Sequence, residues 1–397
     1  MKKIAVAVTA ACLASSVAVA GGHAKSVKLG IALGFTGPAE SLAEPMARGA
    51  ELAIKEVNES GALLDNAQIE VVRADSTCVD ASAASAAAER LISSENVDAV
   101  IGGLCSGATI SMLQNVAMPK GVVLFSPSAT SPALSTLEDN GLFFRASPSD
   151  ARQGQIISEI LKEKGFDSIA MTYTNNDYGK GLADAIQSNF EAAGGTVTIN
   201  TPHEDGKGDY GAEVGALAQA GGDILVVVGY LDQGGKGIIQ SSLDAGAFDQ
   251  FFLPDAMIGD SLVQAIGEDL NGAIGSVPGT DSEGAATFTQ MAKADGFEAG
   301  PYSPESYDAA ALTLLAMQAA NSKDSSAFKD TVFDVANAPG EKIFPGELAK
   351  ALQILKDGGE IDYVGATAVE LIGGGESAGS YREILIDGGE ITTVQFR

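Results

Sequence analysis

At 397 residues, with 45% apolar and 19% charged side chains, the chain is too long for one ordinary domain and argues against disorder. Its formal charge of −28, from 24 basic against 52 acidic residues, excludes a nucleic-acid surface and argues against anionic membranes. The acidity reads first as a solubility feature, suited to a salty environment.

In chain order the first element is a secretory signal. Lys2 and Lys3 form a positive start, Ile4–Val17 is apolar or small, and Ala18-Val19-Ala20 offers a cleavage pattern ahead of Gly21 and Gly22. Cleavage after Ala20 leaves 22 basic residues against 52 acidic ones, or −30. Cys12 lies inside the apolar run behind Thr9-Ala10-Ala11, a poor lipoprotein box, and is discarded with the signal. No later stretch reaches the ~18 uninterrupted apolar residues of a membrane span. The mature protein is expected to be exported and soluble.

Val27–Leu33 reads as the first strand and Gly34–Pro38 as a loop. Pro45–Asn58 places Met46, Ala50, Ala53, Ile54 and Val57 at helical spacing and stops before Gly61. Strand Ile69–Ala74, helix Ala81–Ser93 and strand Ala99–Gly102 follow. Helix Gly107–Met118 is closed by Pro119 and leads to strand Val122–Phe125. Four βα repeats in succession imply a parallel sheet with helices on both faces.

Leu142–Arg145 is a further short strand, and Ser147-Pro148 breaks the pattern. A second series then pairs helix Ala151–Lys164 with strand Ser168–Tyr173, and helix Tyr178–Ala193 with strand Thr196–Asn200. It continues with helix Tyr210–Gln219, strand Ile224–Val228, helix Lys236–Ala245 and strand Gln250–Leu253. The repetition without a linker predicts two similar α/β lobes. Beyond Asn271 small residues and turns take over, with Val277-Pro278-Gly279 as a crossover. Helices Ser282–Lys293, Pro304–Ala320, Ser325–Ala336 and Gly346–Lys356 suggest that the chain returns to finish the first lobe. Tyr381–Ile386 and Ile391–Phe396 form a terminal hairpin around Asp387-Gly388-Gly389-Glu390.

Candidate chemistry is sparse. Export leaves Cys78 and Cys105 as an even pair in an oxidising compartment. Each follows a predicted strand, so the two can meet at one sheet edge, and a disulfide worth about 3 kcal/mol is the favoured reading. The alternative keeps Cys105 free as the nucleophile of a secreted hydrolase, since Gly103-Leu104-Cys105-Ser106-Gly107 matches a nucleophile elbow. Such a thiol needs a base, and the mature chain offers only His203, in a polar loop, and His23, near the start. Ile372-Gly373-Gly374-Gly375-Glu376 lacks the phosphate-loop lysine and reads as a loop, no dinucleotide fingerprint follows the first strand, and two histidines supply no zinc site. No carboxylate spacing selects a glycosidase pair.

What remains is binding. A helix starting near Ser106–Ala108 presents free backbone N–H groups, a seat for a carboxylate with no charged partner. An α-amino acid would also need an acid for its ammonium and an apolar wall for its side chain. On sequence alone, Ser106 and Thr130 could equally be caps and turn residues, Tyr178 a packing residue and Asp255 a turn acid.

GFTGPAES in the first loop, RADSTCVD with IGGLCSGAT, FSPSATSPAL, FRASPSDARQG, NNDYGKGLA, VVVGY and FFLPDA occur in that order. Taken together they make Val27–Arg397 resemble the periplasmic branched-chain amino acid binding proteins of ABC importers. The resemblance implies the type I α/β fold: two doubly wound lobes with parallel central sheets, joined by a three-segment hinge. Residues 27–147 with 278–380 would form one lobe and residues 148–277 with 381–397 the other, with crossings near Ser147, Val277 and Ser380.

By the same resemblance Ser106 and Thr130 bind the ligand carboxylate, while the Ser128 carbonyl and the Asp255 carboxylate take the ammonium. Tyr178 and Tyr230 close over the ligand, and Leu42, Leu104, Cys105 and Tyr302 line the side-chain pocket. The family disulfide falls on Cys78 and Cys105. Leu42 stands where an aromatic residue is common and Asp255 where a longer Glu is typical, which shifts the expected ammonium position. Arg145 is expected to pair structurally near the hinge. The implied protein is a periplasmic monomer that hands its ligand to an inner-membrane permease, without cofactor, metal, nucleic acid or catalysis. Aromatic acids, amides and other small organic solutes are the alternative ligands within this fold.

Overall fold

A computed structural model describes residues 26–397; the signal sequence, Cys12 and His23 lie outside the described residues. The first lobe is built around β1 (Ser26–Leu33). It pairs in parallel with β2 (Gln68–Asp75) on one side and β3 (Ala99–Gly102) on the other, and β4 (Val123–Ser126) and β5 (Phe143–Arg145) continue the sheet. β3 and β4 are buried along their whole length, as expected for strands covered on both faces.

The second lobe repeats the plan. β6 (Ser168–Thr174) pairs with β7 (Thr196–His203) on one side and β8 (Ile224–Val228) on the other. β9 (Phe251–Leu253) and β10 (Ile274–Pro278) extend it, all in parallel. β10 is a strand where the sequence suggested turns and a crossover. Gly275 lies so close to β9 that a Cβ there would sit 2.2 Å from the Leu253 carbonyl oxygen, so a glycine that reads as loop is required by sheet packing.

The chain then leaves the second sheet, and β11 (Glu341–Ile343) and β12 (Ile361–Tyr363) form a small parallel pair. β13 (Leu371–Ile372) and β14 (Glu376–Ser377) add to the edge of the first sheet at β5, with the glycines of 373–375 as the turn between them. β15 (Tyr381–Asp387) and β16 (Glu390–Phe396) are the expected hairpin and join the second sheet antiparallel to β10. Sheet membership therefore changes between Arg145 and Ser168, between Pro278 and Leu371, and between Ser377 and Tyr381.

Several helices differ from expectation. Glu40–Ser60 starts a turn before Pro45, because Leu42 and Ala43 are already buried there, and it ends at Gly61. Pro119 does not close the helix that starts at Ser106. A wide π turn at Leu113–Ala117 accommodates the proline, and the helix stops at Gly121, whose φ of +70° suits only glycine well. Ser325–Ala336 is broken into Ser325–Phe328, a tight turn at Lys329–Thr331, and Val332–Ala336. Ser303–Ala319 is buried on nearly all sides because it packs against Glu40–Ser60 on one face and the late helices on others. That helix holds Tyr302, just ahead of it, against the cleft.

Candidate functional cleft between the lobes

Each sheet reverses its winding once. β1 connects to β2 on one side while β3 lies on the other, and β6 stands in the same relation to β7 and β8. At such a switch point the loops leaving adjacent strands part and open a crevice. Leu42 follows β1, Leu104–Ser106 follow β3, Asp177–Tyr178 follow β6 and Tyr230 follows β8. Leu42, Leu104, Cys105, Ser106, Ser128, Tyr178, Tyr230, Asp255, Ala256 and Tyr302 enclose one small cavity of about 10 Å³. Nine of these are residues singled out from the sequence; Thr130 lies on the same loop as Ser128 but does not line it.

The first-lobe wall is neutral and built on backbone. Gly102, with a φ of +149°, lies so near β1 that a Cβ would sit 2.1 Å from the Ala32 carbonyl oxygen, which brings the β3 loop against the sheet end. Cys105 caps the helix with ordinary extended dihedrals, and Thr109 is the first N–H to find an intrahelical acceptor, at the Cys105 carbonyl. The N–H groups before it are the free donors of a helix start. The Ser106 hydroxyl accepts from the Ser131 N–H (3.1 Å), and the Ser128 hydroxyl donates to the Leu104 carbonyl (2.9 Å). These bonds tie the β3 and β4 loops together.

Arg145 stands behind this wall, 1% exposed. Its guanidinium donates to the Ala129 and Ser131 carbonyls (3.0 Å each), to the Ser135 hydroxyl (2.7 Å) and to Glu376 (2.5 Å). By fixing carbonyls on either side of Thr130 it sets the path of the loop that carries Ser128 and Thr130.

The second-lobe wall is aromatic and acidic. The Tyr178 and Tyr230 rings stack with centroids 5.4 Å apart. The Asp255 carboxylate, 1% exposed at the turn after β9, accepts from the Tyr178 hydroxyl (2.8 Å) and from the Tyr302 hydroxyl, which reaches over from the first lobe. Tyr302 holds a left-handed φ of +62° to do so, at a cost on the order of 1 kcal/mol for a non-glycine residue. Burial raises the carboxyl of Asp255 above the usual range, and the tyrosine hydroxyls pull it partly back. Burial and the Asp255 charge push Tyr178 and Tyr302 upward, so both stay neutral donors.

The lobes are closed on each other. The Asp232 N–H donates to the Pro38 carbonyl (3.0 Å), the Ser41 N–H to the Asp232 carboxylate (2.9 Å), and the Ser131 hydroxyl to the Asp177 carbonyl (3.0 Å). A wider cleft of about 430 Å³ begins on the other side of Leu42. The cavity itself is on the scale of one water molecule, so an organic solute enters only when the lobes part.

Cys105 carries no free thiol here. It is disulfide-bonded to Cys78, the Cα atoms 5.2 Å apart, which joins the ends of β2 and β3 on either side of β1. His203 is not in a polar loop but ends β7, buried, with Nδ1 on the Thr172 hydroxyl (2.9 Å); burial lowers it to about 4. Among the described residues no group of His, Cys, Asp and Glu could hold a metal ion.

One group behind the cleft escaped the sequence reading. Asp150 opens the helix Asp150–Glu163, where an acid after Ser149 looks like ordinary first-turn chemistry. Arg145 was legible only as a hinge-side pairing residue, because a β5 terminus gives no sign of the loop it will brace.

The chain belongs to the periplasmic binding protein family, whose profile matches residues 26–343. It is similar to a Leu/Ile/Val-binding protein homolog of Brucella melitensis, 29% identical over 336 residues that cover 83% of this chain and 86% of that one. A leucine binding protein of Thermotoga maritima shares the fold with a TM-score of 0.78 at 19% identity, covering 93% of this chain and 98% of that one. A solute-binding protein of R. palustris in complex with benzoate shares it at 0.73 and 18% identity, over 94% and 96% of the two chains.

Proposed function

We propose that this protein captures an amino acid of the branched-chain type between its lobes and delivers it to an ABC permease of the inner membrane. The observation that carries the reading is the opposition, across one closed cleft, of neutral N–H and hydroxyl donors to a buried carboxylate framed by tyrosines. A zwitterion matches both walls at once: its carboxylate takes the helix-start N–H groups with Ser106 and Thr130, and its ammonium takes Asp255 and the Ser128 carbonyl. Leu42, Leu104, Cys105 and Tyr302 surround its side chain, and Tyr178 and Tyr230 cover it. The similarity to a Leu/Ile/Val-binding homolog supports the same ligand class.

Capture works by hinge closure. Residues 27–147 with 278–380 move as one lobe and residues 148–277 with 381–397 as the other, about the passages near Ser147, Val277 and Ser380. A ligand touched by both walls stabilises the closed form, and the permease reads that form. The signal read in residues 1–20 and the family support a periplasmic site for this exchange. An aromatic acid, the ligand of the R. palustris protein, satisfies the first wall but leaves Asp255 facing no cation, which favours the amino acid.

Thermal-shift screening of the mature protein tests this. A tight amino acid at a hundredfold excess over its Kd adds about 2.7 kcal/mol, several degrees in Tm. A protein whose transition ignores every amino acid, yet rises with benzoate, overturns the ligand assignment. Titration of Cys105 by a thiol reagent in the folded, unreduced protein would revive the hydrolase.

A further inference from the structure

Beside Tyr302 lies a second cavity between the lobes, of about 170 Å³. The terminal hairpin β15–β16 supplies Arg382 and Phe396 to its wall, and the helix Ser303–Ala319 with the turn before it supplies Tyr302, Pro304 and Glu305. Arg382 also lines the wider cleft of about 430 Å³ beyond Leu42, so the two spaces meet at its side chain. A Cβ on Gly279 would come within 3.4 Å of the Arg382 Cδ, so the stem of the arginine lies against the turn after β10.

Two side chains of opposite charge line this cavity, and neither is matched. Glu305 is 3% exposed, and its Oε2 has no hydrogen-bond partner. Burial, the largest influence on it, holds the carboxyl up at about 8 although Arg382 pulls the other way. Among the described residues the Arg382 guanidinium meets no carboxylate in an ion pair; it donates at 3.4 Å to the Thr393 hydroxyl. The neighbouring Asp308 carboxylate is already taken by the Tyr363 hydroxyl, the Ala366 N–H, and the N–H and hydroxyl of Thr367. A buried acid and a guanidinium that share a cavity without pairing are costly unless something bridges them.

We propose that this cavity is a second binding site, for a small zwitterion whose carboxylate pairs with Arg382 and whose ammonium pairs with Glu305. An anion alone would leave the Glu305 Oε2 unmatched and would meet Asp260 and Glu298 in the adjoining cleft. A cation alone would leave Arg382 unmatched. The zwitterion satisfies both, with its short aliphatic body against Pro304 and Phe396. The site takes one charge from each lobe, so it is complete only while the lobes are closed. Its occupant and the ligand of the cleft therefore favour the same form, and each tightens the other by the same factor. Tyr302 stands between the two sites, lining this cavity while its hydroxyl donates to Asp255. The inference goes beyond the function proposed above: it uses hinge closure but does not require leucine to be the ligand of the cleft.

Isothermal titration of the mature protein with β-alanine at about pH 8, with and without saturating L-leucine, tests this. One saturable β-alanine per chain is expected, bound about tenfold more tightly than propionate or propylamine, each of which lacks one of its charges. Leucine should tighten β-alanine, and β-alanine should tighten leucine by the same factor, about threefold or more. Arg382→Gln and Glu305→Gln should each weaken β-alanine about tenfold and abolish the mutual tightening, read against each variant's own leucine affinity. No saturable β-alanine heat, propionate bound as well as β-alanine, or both variants binding like the wild type overturns the site. Competition between β-alanine and leucine in place of mutual tightening puts β-alanine in the cleft and overturns it too. A protein that ignores leucine yet binds β-alanine through Arg382 and Glu305 overturns the ligand assigned to the cleft and leaves this site standing.

Discussion

The two walls of the cleft come from one architecture and carry opposite chemistry. Each is a set of loops at the switch point of a parallel sheet, one beside β1 and the other beside β6. The first offers N–H groups and hydroxyls and no charged side chain; its one guanidinium, Arg145, is turned inward and occupied. The second offers the buried carboxyl of Asp255 and stacked tyrosines. The fold supplies the crevice and the loops supply its sign. On the proposed reading, a chain of charge −28 would hold an anionic group with neutral donors and a cation with Asp255.

The sharpest way to break this comparison is to remove the brace behind the neutral wall. Arg145→Met leaves Glu376 and two buried carbonyls without their donor and is expected to cost about 3–5 kcal/mol, read from denaturant unfolding. Leucine affinity should fall with it, because Ser128 and Thr130 lose their fixed path. If affinity holds while stability drops, the loop is set by its own serine bonds and the brace is purely structural.

Acid buried at the seam should show as a pH slope. Glu305, buried on the first-lobe helix near Arg382 of the second lobe, is raised to about 8, chiefly by burial. A raised carboxyl stabilises the fold below its unfolded value and loses that contribution as pH rises. Stability should therefore decline between about pH 4.5 and 8, by on the order of 4 kcal/mol if no other group compensates. Glu305→Gln is expected to flatten that decline in thermal unfolding.

The disulfide belongs to the neutral wall alone. It closes a sequence separation of 27 residues, and Cys78→Ala with Cys105→Ala should cost about 3 kcal/mol. Leucine binding, which also draws on the acidic wall, should survive that change in part. The smallest effect expected is that of Tyr178→Phe. Asp255 keeps Tyr302 as donor, so leucine affinity should fall by about 1 kcal/mol, near fivefold. Loss of that hydroxyl should also move the pH dependence of binding upward, since one bond to the ionised carboxylate is gone.

Much of this was written locally. Apolar runs such as Ile224–Val228 and periodic segments such as Asp150–Glu163 declared their elements within a residue or two, because burial on both faces of a sheet leaves a continuous signal. Elements whose form depends on a distant neighbour were less legible. β10 carries Gly275 because β9 presses on it, and the turn before Pro45 is helical because Leu42 and Ala43 find a core.

The sequence by itself determined the alternation of strands and helices, the doubling of the lobes and the ordered segments that place Ser106, Tyr178 and Asp255 at loop starts. These follow from patterns a few residues long. Only the tertiary structure decided which charges are satisfied. Arg145 and Asp150 stand five positions apart in one short passage, equally polar on paper; folding surrounds one with four acceptors and buries the other beside the Thr130 hydroxyl. Solvation and pairing are properties of the space around a group, and that space is assembled from strands and loops far away in the chain.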